Sequence, residues 1–309
     1  MRHIIACCLS LLVFVSTARA DTTGTILGTV TDPRGDVVAG ATVTARHEGT
    51  NLTRTATTDE AGNYRFNAMP IGPYELTVSA SGFADQVHGI RLEIGQEPRV
   101  DVRLDVAGAV NTIEIVADDV ISSETSTVGT VIDNQKVTEL PLNGRNFLQL
   151  GTLIPGVAAA PGGGGSEGGT YVGAFSVGGQ RDRGANYQLD GADNNQGINN
   201  NAAAFVNVDA IQEFSIQTST FSAEYGRNSG AVVNVATKSG TNEWHGTAFE
   251  FFRNDALDAR NFFENAGNAP DSTFQLNQFG GVLGGPVRKD RAFFFLSYEG
   301  LRSRVGNTI

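Results

Sequence analysis

Cysteine is nearly absent from this chain. The 309 residues include two cysteines, Cys7 and Cys8, and both lie within the first eight positions. A mature chain that has lost both has no disulfide to constrain it and no thiol for catalysis or metal binding. The sequence therefore excludes disulfide-stabilised and thiol-dependent classes of protein.

Long apolar segments are missing at the N-terminus. The run from Ile4 to Val15 covers only 12 residues, whereas a membrane-spanning helix needs about 20. Arg2 and His3 precede this run, and the small residues Ala18 and Ala20 follow it. This layout predicts a secretory signal peptide over residues 1–20, cleaved after Ala20 and carrying both cysteines away.

Positive charge is also scarce. The chain has 22 Lys and Arg against 33 Asp and Glu, and removal of Arg2 and Arg19 leaves 20 against 33, a formal charge of −13. Because phosphate binding needs clustered Lys and Arg, this balance argues against nucleic acid as a partner. An acidic surface favours the approach of cationic or metal-complexed ligands, although net charge does not select one.

Short strands separated by turn signals fill residues 25–106. The clearest strand pattern runs from Arg99 to Val106, where apolar and charged residues alternate so that one face is apolar and the other charged. About seven strands in about 80 residues is the size of a small antiparallel β-sandwich.

Two stretches of this region, GTVTDPRGDVVAGATVTA and DEAGNYRFNAMPIGPYELTVSASGF, resemble the carboxypeptidase regulatory-like domain. The resemblance implies a transthyretin-like or starch-binding-like β-sandwich over residues 21–106. It implies no peptidase, because none of the three histidines outside the leader, His47, His88 and His245, has a Glu three residues later. The sandwich is either a spacer or docking module or a carbohydrate-binding module, and a shared fold does not decide between these roles.

Sugar binding by the sandwich would need exposed aromatic rings. Tyr64 and Tyr74 are the candidates. Their alternation with polar residues suits core positions equally well.

The stretch VDAIQEFSIQTSTFSAEYGRNSGAVVNVATKSGTNEWHGT, from Val208 to Thr247, is the most informative part of the chain. By its residues it is a β-prone segment, a glycine-containing turn, a β-branched strand from Ala231 to Thr237 and a further strand. The ordered string resembles the end of the plug domain of TonB-dependent outer-membrane receptors, where the last plug strand passes into the barrel. LPLNGRNFLQL and FGGVLGGPVRKDRAFFFLSYEG resemble the Oar-like subgroup of these receptors. The resemblance implies a mixed α/β plug over residues 119–242.

Between sandwich and plug, residues 107–118 form a linker with a β-prone segment, Ile113, Glu114, Ile115 and Val116. It is similar in position and character to a TonB box, the short strand that the TonB protein grips by main-chain pairing. An ordinary first plug strand is the open alternative.

Within the plug, Asp133 is expected to cap a short helix in which Val137 and Leu140 face inward and which Pro141 ends, and a second short helix is expected from Phe147 to Leu153. Asn143 and Arg145 between them are interpreted as turn and packing residues. The resemblance implies a plug core with gating charges and turns at Arg181, Asp190, Gly191 and Arg227. It also implies a substrate-facing loop with Asp193, Asn194, Asn195, Asn199 and Asn200. This loop lacks the glycine and final Glu of a calcium-binding EF-hand loop.

Three segments near the C-terminus read as membrane strands of about ten residues: Trp244 to Arg253, Phe274 to Leu283, and Ala292 to Leu301. They predict the start of an outer-membrane β-barrel over residues 243–309. A barrel of this family has about 22 strands, and only 67 residues follow Asn242 (309 − 242). The chain is therefore predicted to be a fragment or a truncated product, with a disordered or aggregation-prone tail when on its own.

The expected protein is mainly β and is not an enzyme, since no nucleophile, acid–base pair, metal set or cofactor motif is found. The receptor resemblance implies energy-coupled uptake of an unidentified substrate, a carbohydrate or a metal chelate among the candidates. The implied partners are TonB with its inner-membrane complex and the lipid of the outer membrane of a Gram-negative-type bacterium, with sandwich and plug on the periplasmic side. A structural or adhesive outer-membrane protein is the alternative.

Overall fold

The computed structural model describes twelve stretches of the chain: residues 22–106, 115–116, 128–140, 142–159, 175–181, 183–197, 200–221, 225, 229–257, 259, 266 and 273–306. They form three β-rich units in chain order. We call these the sandwich (22–106 with 115–116), the plug (128–237) and the C-terminal sheet (245–305). Among the described residues, no helix combines the length and hydropathy needed to cross a membrane.

The sandwich has the expected seven strands, β1 to β7, in two sheets. Their bounds are β1 Thr23–Thr31, β2 Thr42–His47, β3 Thr53–Thr57, β4 Asn63–Pro70, β5 Gly72–Ser79, β6 Gln86–Leu92 and β7 Val102–Arg103. One sheet has the order β4-β1-β7. The other has the order β3-β2-β5-β6 and gains an edge strand, β8 (Ile115–Val116), which pairs in parallel with β6.

The sandwich core follows from the two-residue period of its strands. In β5, Tyr74, Leu76 and Val78 are fully buried, and the residues between them lie outside the core. The hydroxyl groups of the buried tyrosines are satisfied: Tyr64 donates to the Val100 carbonyl at 2.6 Å and Tyr74 to the Pro70 carbonyl at 2.8 Å. Neither ring is available to stack on a sugar, so the residues considered for carbohydrate binding are core residues.

The plug is built on a five-stranded mixed sheet in the order β13-β12-β15-β14-β9. Its strands are β9 Val128–Asp133, β10 Val157–Ala159, β11 Phe175–Val177, β12 Ala185–Leu189, β13 Ala192–Asp193, β14 Ile211–Ser219 and β15 Ala231–Thr237, of which β10 and β11 form a separate pair. β12 and β15 run parallel, whereas β14 is antiparallel to both β15 and β9. β9, the first plug strand in sequence, is therefore an edge strand of this sheet.

The helical elements of the plug pack on this sheet. Helix α1 (Asn134–Glu139) is capped as expected: the Asp133 side chain accepts from the Lys136 amide at 2.9 Å, and Val137 is fully buried. Leu140 packs against the core, and Pro141 lies outside the described residues. The segment Phe147–Leu153 is a 3₁₀ helix whose N-cap is Asn146.

The C-terminal sheet is an antiparallel meander of β16 (His245–Asn254), β17 (Phe274–Arg288) and β18 (Ala292–Val305). The last two strands are longer than the predicted Phe274 to Leu283 and Ala292 to Leu301. The structure places this segment in paired strands and not in a disordered tail: β17 is paired on both sides, and β16 and β18 are each paired with β17 on one side. As the sequence predicts, the described strands of this unit form an open sheet and do not close into a barrel.

Candidate functional site

Arg145 is held in position by a tight turn of the plug. It ends the 3₁₀ turn Asn143–Arg145, in which both Gly144 and Arg145 have positive φ angles of 63° and 55°. Only glycine adopts that region without cost, so a non-glycine residue there marks a conformation that its surroundings impose. The turn directs the guanidinium group toward a second 3₁₀ turn, Val208–Ala210.

An ion pair within the plug fixes the guanidinium group. Arg145 pairs with the carboxylate of Asp209, and the side chains of both residues are only 14% exposed. The Asn207 side-chain oxygen accepts from Arg145 Nη2 at 3.2 Å and from the Asp209 amide at 3.0 Å. A pair that is this buried is costly to break from one side, because the remaining charge loses its partner.

The same guanidinium group also contacts the C-terminal sheet. Its carbon lies 4.1 Å from the ring centre of Phe249 and 4.9 Å from that of Phe251, both on β16. Arg145 Nε lies 4.0 Å from an oxygen of Glu299 on β18. One plug side chain thus combines an internal ion pair with a cation–π contact to the adjoining sheet, an interaction worth roughly 0.5 to 2 kcal/mol.

The register of the C-terminal sheet creates this contact. Phe249, Gly280 and Glu299 are opposite one another across the three strands, so they share a face. A Cβ atom at Gly280 would lie 2.2 Å from the Tyr298 carbonyl and 2.8 Å from the Phe249 ring. Glycine at this position therefore leaves room for the ring, and Gln278, only 6% exposed, donates to Glu299 on the same face.

The opposite face of the C-terminal sheet carries exposed apolar side chains around Leu283 and Leu296. Leu283 and Leu296 are cross-strand partners with 44% and 63% of their surfaces exposed, and Tyr298 is 66% exposed. Successive residues of a strand point to opposite faces. Phe294 shares this face with Leu296 and Tyr298, whereas Phe293 and Phe295 lie on the same face as Glu299.

Asp190 and Gly191, two of the four residues expected as plug core and gating residues, lie together at one turn. Asp190 has φ of 49° and accepts from the Thr237 amide at 2.7 Å and the Thr237 hydroxyl at 2.9 Å, with Gly191 next to it at φ 75°. These two residues form the turn between β12 and β13, as the Asp-Gly pair predicts. Arg181 is exposed at a loop, and Arg227 lies outside the described residues.

The asparagine-rich loop is largely occupied by its own hydrogen bonds. Asn194 is 8% exposed and donates to the Ala204 carbonyl at 3.0 Å, and Asn195 accepts from the Tyr187 amide at 3.0 Å. The Asn200 side chain donates to the carbonyl of Arg183, in the loop before β12, and to the carbonyl of Ala185, in β12. The other two expected substrate-facing residues are Asp193, which is exposed, and Asn199, which lies outside the described residues.

Half of the candidate TonB box is described. Ile115 and Val116 form β8 and pair with His88 and Gly89 of β6, whereas Ile113 and Glu114 lie outside the described residues. The segment is thus extended and joined to the sandwich by main-chain pairing. Main-chain pairing is also how an added strand binds a sheet edge.

Comparisons with known families match the three units in order. Residues 25–105 match the carboxypeptidase regulatory-like domain, residues 122–233 the TonB-dependent receptor plug domain, and residues 236–309 an outer membrane beta barrel domain. These matches make the chain similar to TonB-dependent outer-membrane receptors. The TonB-dependent transporter Oar of Myxococcus xanthus is 29% identical over 306 aligned residues, and the match covers 92% of this chain and 27% of that relative. This chain thus spans about a quarter of the length of the curated relative.

Similar solved structures include catechol 1,2-dioxygenases. That of Acinetobacter radioresistens is 19% identical, covering 30% of this chain and 55% of the enzyme at a TM-score of 0.26. That of Pseudomonas arvilla C-1 is 18% identical, covering 31% and 56% at a TM-score of 0.26. Likenesses at this TM-score carry no conclusion about the receptor domains. Among the described residues, no group of three or more His, Cys, Asp or Glu is placed to hold a metal ion.

Proposed function

We propose that this chain forms the periplasmic sandwich, the plug and the first barrel strands of a transporter that takes up a substrate across the outer membrane with energy from TonB. The observation that carries the proposal is the contact of Arg145 with Asp209 on one side and with Phe249 and Glu299 on the other. This contact joins the plug to the face of the C-terminal sheet that lies opposite the exposed apolar residues. A gated pore requires such a contact between plug and barrel.

In this proposal Arg145 is a release point. The cation–π contact and the ion pair with Glu299 at 4.0 Å cross from plug to barrel, whereas the pair with Asp209 stays within the plug. A plug that moves must give up the crossing contacts, and it keeps the internal ion pair, so its charge remains compensated. The cost of release is thereby limited to weaker interactions of roughly 1 to 2 kcal/mol.

In this proposal TonB binds the segment around β8. In sequence, Ile115 and Val116 lie between β7 of the sandwich and β9, an edge strand of the plug sheet. An extended segment binds a partner through its main chain, which tolerates many side chains and transmits a pull. The substrate enters from the opposite, external side of the membrane.

The test is binding of a purified TonB C-terminal domain to the full-length receptor. Ile115→Pro removes a backbone donor from the segment and is expected to abolish binding. Ala109→Pro, in the same linker but outside the candidate TonB box, is the matched control and should bind like the wild type. Equal binding by wild type and Ile115→Pro, or binding by neither, would contradict the transport proposal and favour a structural or adhesive role.

A further inference from the structure

A buried carboxylate of the plug bonds directly to the sandwich. Glu213 on β14 has a side chain that is 1% exposed, and its Oε2 accepts from the backbone amide of Ile94 at 3.0 Å. Ile94 belongs to the turn that follows β6 of the sandwich. Beside it, Ile71 and Ile94 of the sandwich form a small buried apolar cluster with Ala236 of the plug.

A second contact joins the sandwich to the start of the C-terminal sheet. The Asp290 carboxylate, in the turn between β17 and β18, accepts from the Asn51 and Asn242 side chains, each at 2.8 Å. The Asn242 amide donates to the Gly49 carbonyl at 2.8 Å. The sandwich therefore rests on the plug and on the adjoining sheet at the same time, and Glu213 is the charged group buried between sandwich and plug.

Glu213 is poorly compensated for a buried charge. Its Oε1 accepts no hydrogen bond within the described residues and lies 3.7 Å from Nη2 of Arg91, whose side chain is about half exposed. Two further carboxylates lie near Glu213, those of Glu93 and Asp133. Asp133 is the cross-strand partner of Glu213 and pairs with Lys136 at 3.1 Å.

These surroundings favour the neutral form of Glu213. The pKa of Glu213 is raised to about 7, and burial is the largest cause. The charges of Glu93 and Asp133 also raise this pKa, whereas the hydrogen bond from Ile94 and the charge of Arg91 lower it. In a plug separated from the sandwich, Glu213 would meet water and its pKa would return toward the ordinary value of a carboxyl group, 4.5.

We propose that Glu213 is a pH-sensitive latch between the sandwich and the plug. Docking is strongest below pH 4.5, where the carboxyl group is protonated in both states. As pH rises from 4.5 toward 7, the separated state loses its proton and the docked state keeps it, so each pH unit weakens docking by about a factor of ten. Above pH 7 both states are ionised and the loss is complete. A separated sandwich leaves the ends of β14 and β15 uncovered.

A disulfide reports docking without any requirement for transport. A Cβ atom at Gly49 would lie 3.2 Å from Thr241 Cγ2, so the two Cβ positions are close to the roughly 3.5 to 4.5 Å of a disulfide. Gly49→Cys and Thr241→Cys, as the only cysteines of the mature full-length receptor, would form a bond when the sandwich is docked. The initial rate of oxidation is measured from about pH 5 to about pH 7.5, with and without Glu213→Gln.

The ratio of the two rates isolates the latch, because both proteins carry the same thiols. Glu213→Gln keeps the acceptor for the Ile94 amide and cannot ionise. We expect a ratio of Gln variant to wild type of about four or less at about pH 5, rising by a further factor of about ten or more at about pH 7.5. A ratio that does not change with pH overturns the proposal.

A second variant tests the same latch by changing Arg91, the partly exposed partner of Glu213. Arg91→Met removes the cation that faces Glu213, and it should slow cross-linking severalfold at about pH 7.5 but not at about pH 5, where docked Glu213 is neutral. Arg65→Met is the matched control, since Arg65 is about as exposed as Arg91 and pairs with Glu97 at 3.1 Å within the sandwich. It should leave the rate unchanged at both pH values. Equal effects of Arg91→Met and Arg65→Met would also contradict the latch.

Discussion

The guanidinium carbon of Arg145 lies 4.1 Å from the centre of the Phe249 ring, which joins the plug to the first strand of the adjoining sheet. The ring contact adds to the ion pair with Asp209 and does not replace it. Since both interactions use one side chain, their energies can be separated by substitution.

Arg145→Met should destabilise the plug by roughly 3 kcal/mol, because it leaves the Asp209 carboxylate buried without its partner. Phe249→Leu should cost about 1 kcal/mol, and the double variant should show a coupling energy of about 1 kcal/mol. Chemical denaturation of the full-length receptor, followed by a fluorophore on the plug, gives these values. Phe252→Leu, half exposed on the same strand, is the control with no expected coupling to Arg145. Strict additivity of Arg145→Met and Phe249→Leu would show that the ring contact contributes nothing.

Local signals in the sequence predicted local structure well. The cap at Asp133, the turn at Asp190 and Gly191, and the alternating core of β5 depend on residues within a few positions of one another, and all are present. Arg145 was interpreted as a turn and packing residue because its partner Asp209 is 64 positions away. No spacing rule connects two such turns, although Gly144 before Arg145 was a visible sign of an unusual backbone.

Burial by a second domain was the other feature that sequence reasoning missed. Glu213 follows Gln212 and precedes Phe214 in β14, and a charged residue in an alternating strand is expected to face water. The strand is instead buried on both sides along much of its length, because the sandwich covers its outer face at this point. β17 was predicted to end at Leu283, whereas it continues through Gly284, Gly285 and Pro286 to Arg288. A Cβ at Gly285 would lie 2.9 Å from the Trp244 ring.

Asp190 should contribute to stability through its two hydrogen bonds to Thr237. Asp190→Ala removes both acceptors and leaves alanine at φ 49°, so we expect a loss of about 2 kcal/mol. Asp190→Asn keeps an acceptor, and asparagine tolerates this conformation, so its loss should stay below about 1 kcal/mol. Thermal unfolding measures both. If the two variants are equally destabilised, the negative charge of Asp190 matters more than its geometry.

The stability of the plug and sandwich together should fall as pH rises from 4.5 to about 7. The folded pKa of Glu213 is raised to about 7 from 4.5, so its favourable contribution is fully present below 4.5 and is lost as pH rises through 7. The full change is roughly 3 kcal/mol. Denaturant midpoints across this range, compared with Glu213→Gln, provide the measurement. The variant should show a flatter profile, and parallel profiles would assign the pH dependence to other groups.

The exposed face of the C-terminal sheet should contact lipid. Leu296→Arg places a charge on this face and is expected to cost roughly 2 to 4 kcal/mol of stability in a bilayer, if the position lies near the membrane centre. Ser297→Arg, the next residue along β18, points to the opposite face and is the matched control. Folding yield into lipid vesicles compares the two directly. A larger loss for Ser297→Arg would reverse the assignment of the faces.

The place of β9 at the edge of the plug sheet determines how the domain would respond to mechanical load. A tension that arrives from the residues before Val128 meets β9 at the end where Val128 is paired with Ser219. Under tension directed away from the sheet edge, the pairs with β14 would open in succession, so the force required at any moment is that of a single pair and not of the whole strand. The last pair in this order is Asp133 with Glu213. The contact of Glu213 with the sandwich therefore lies at the last pair to open.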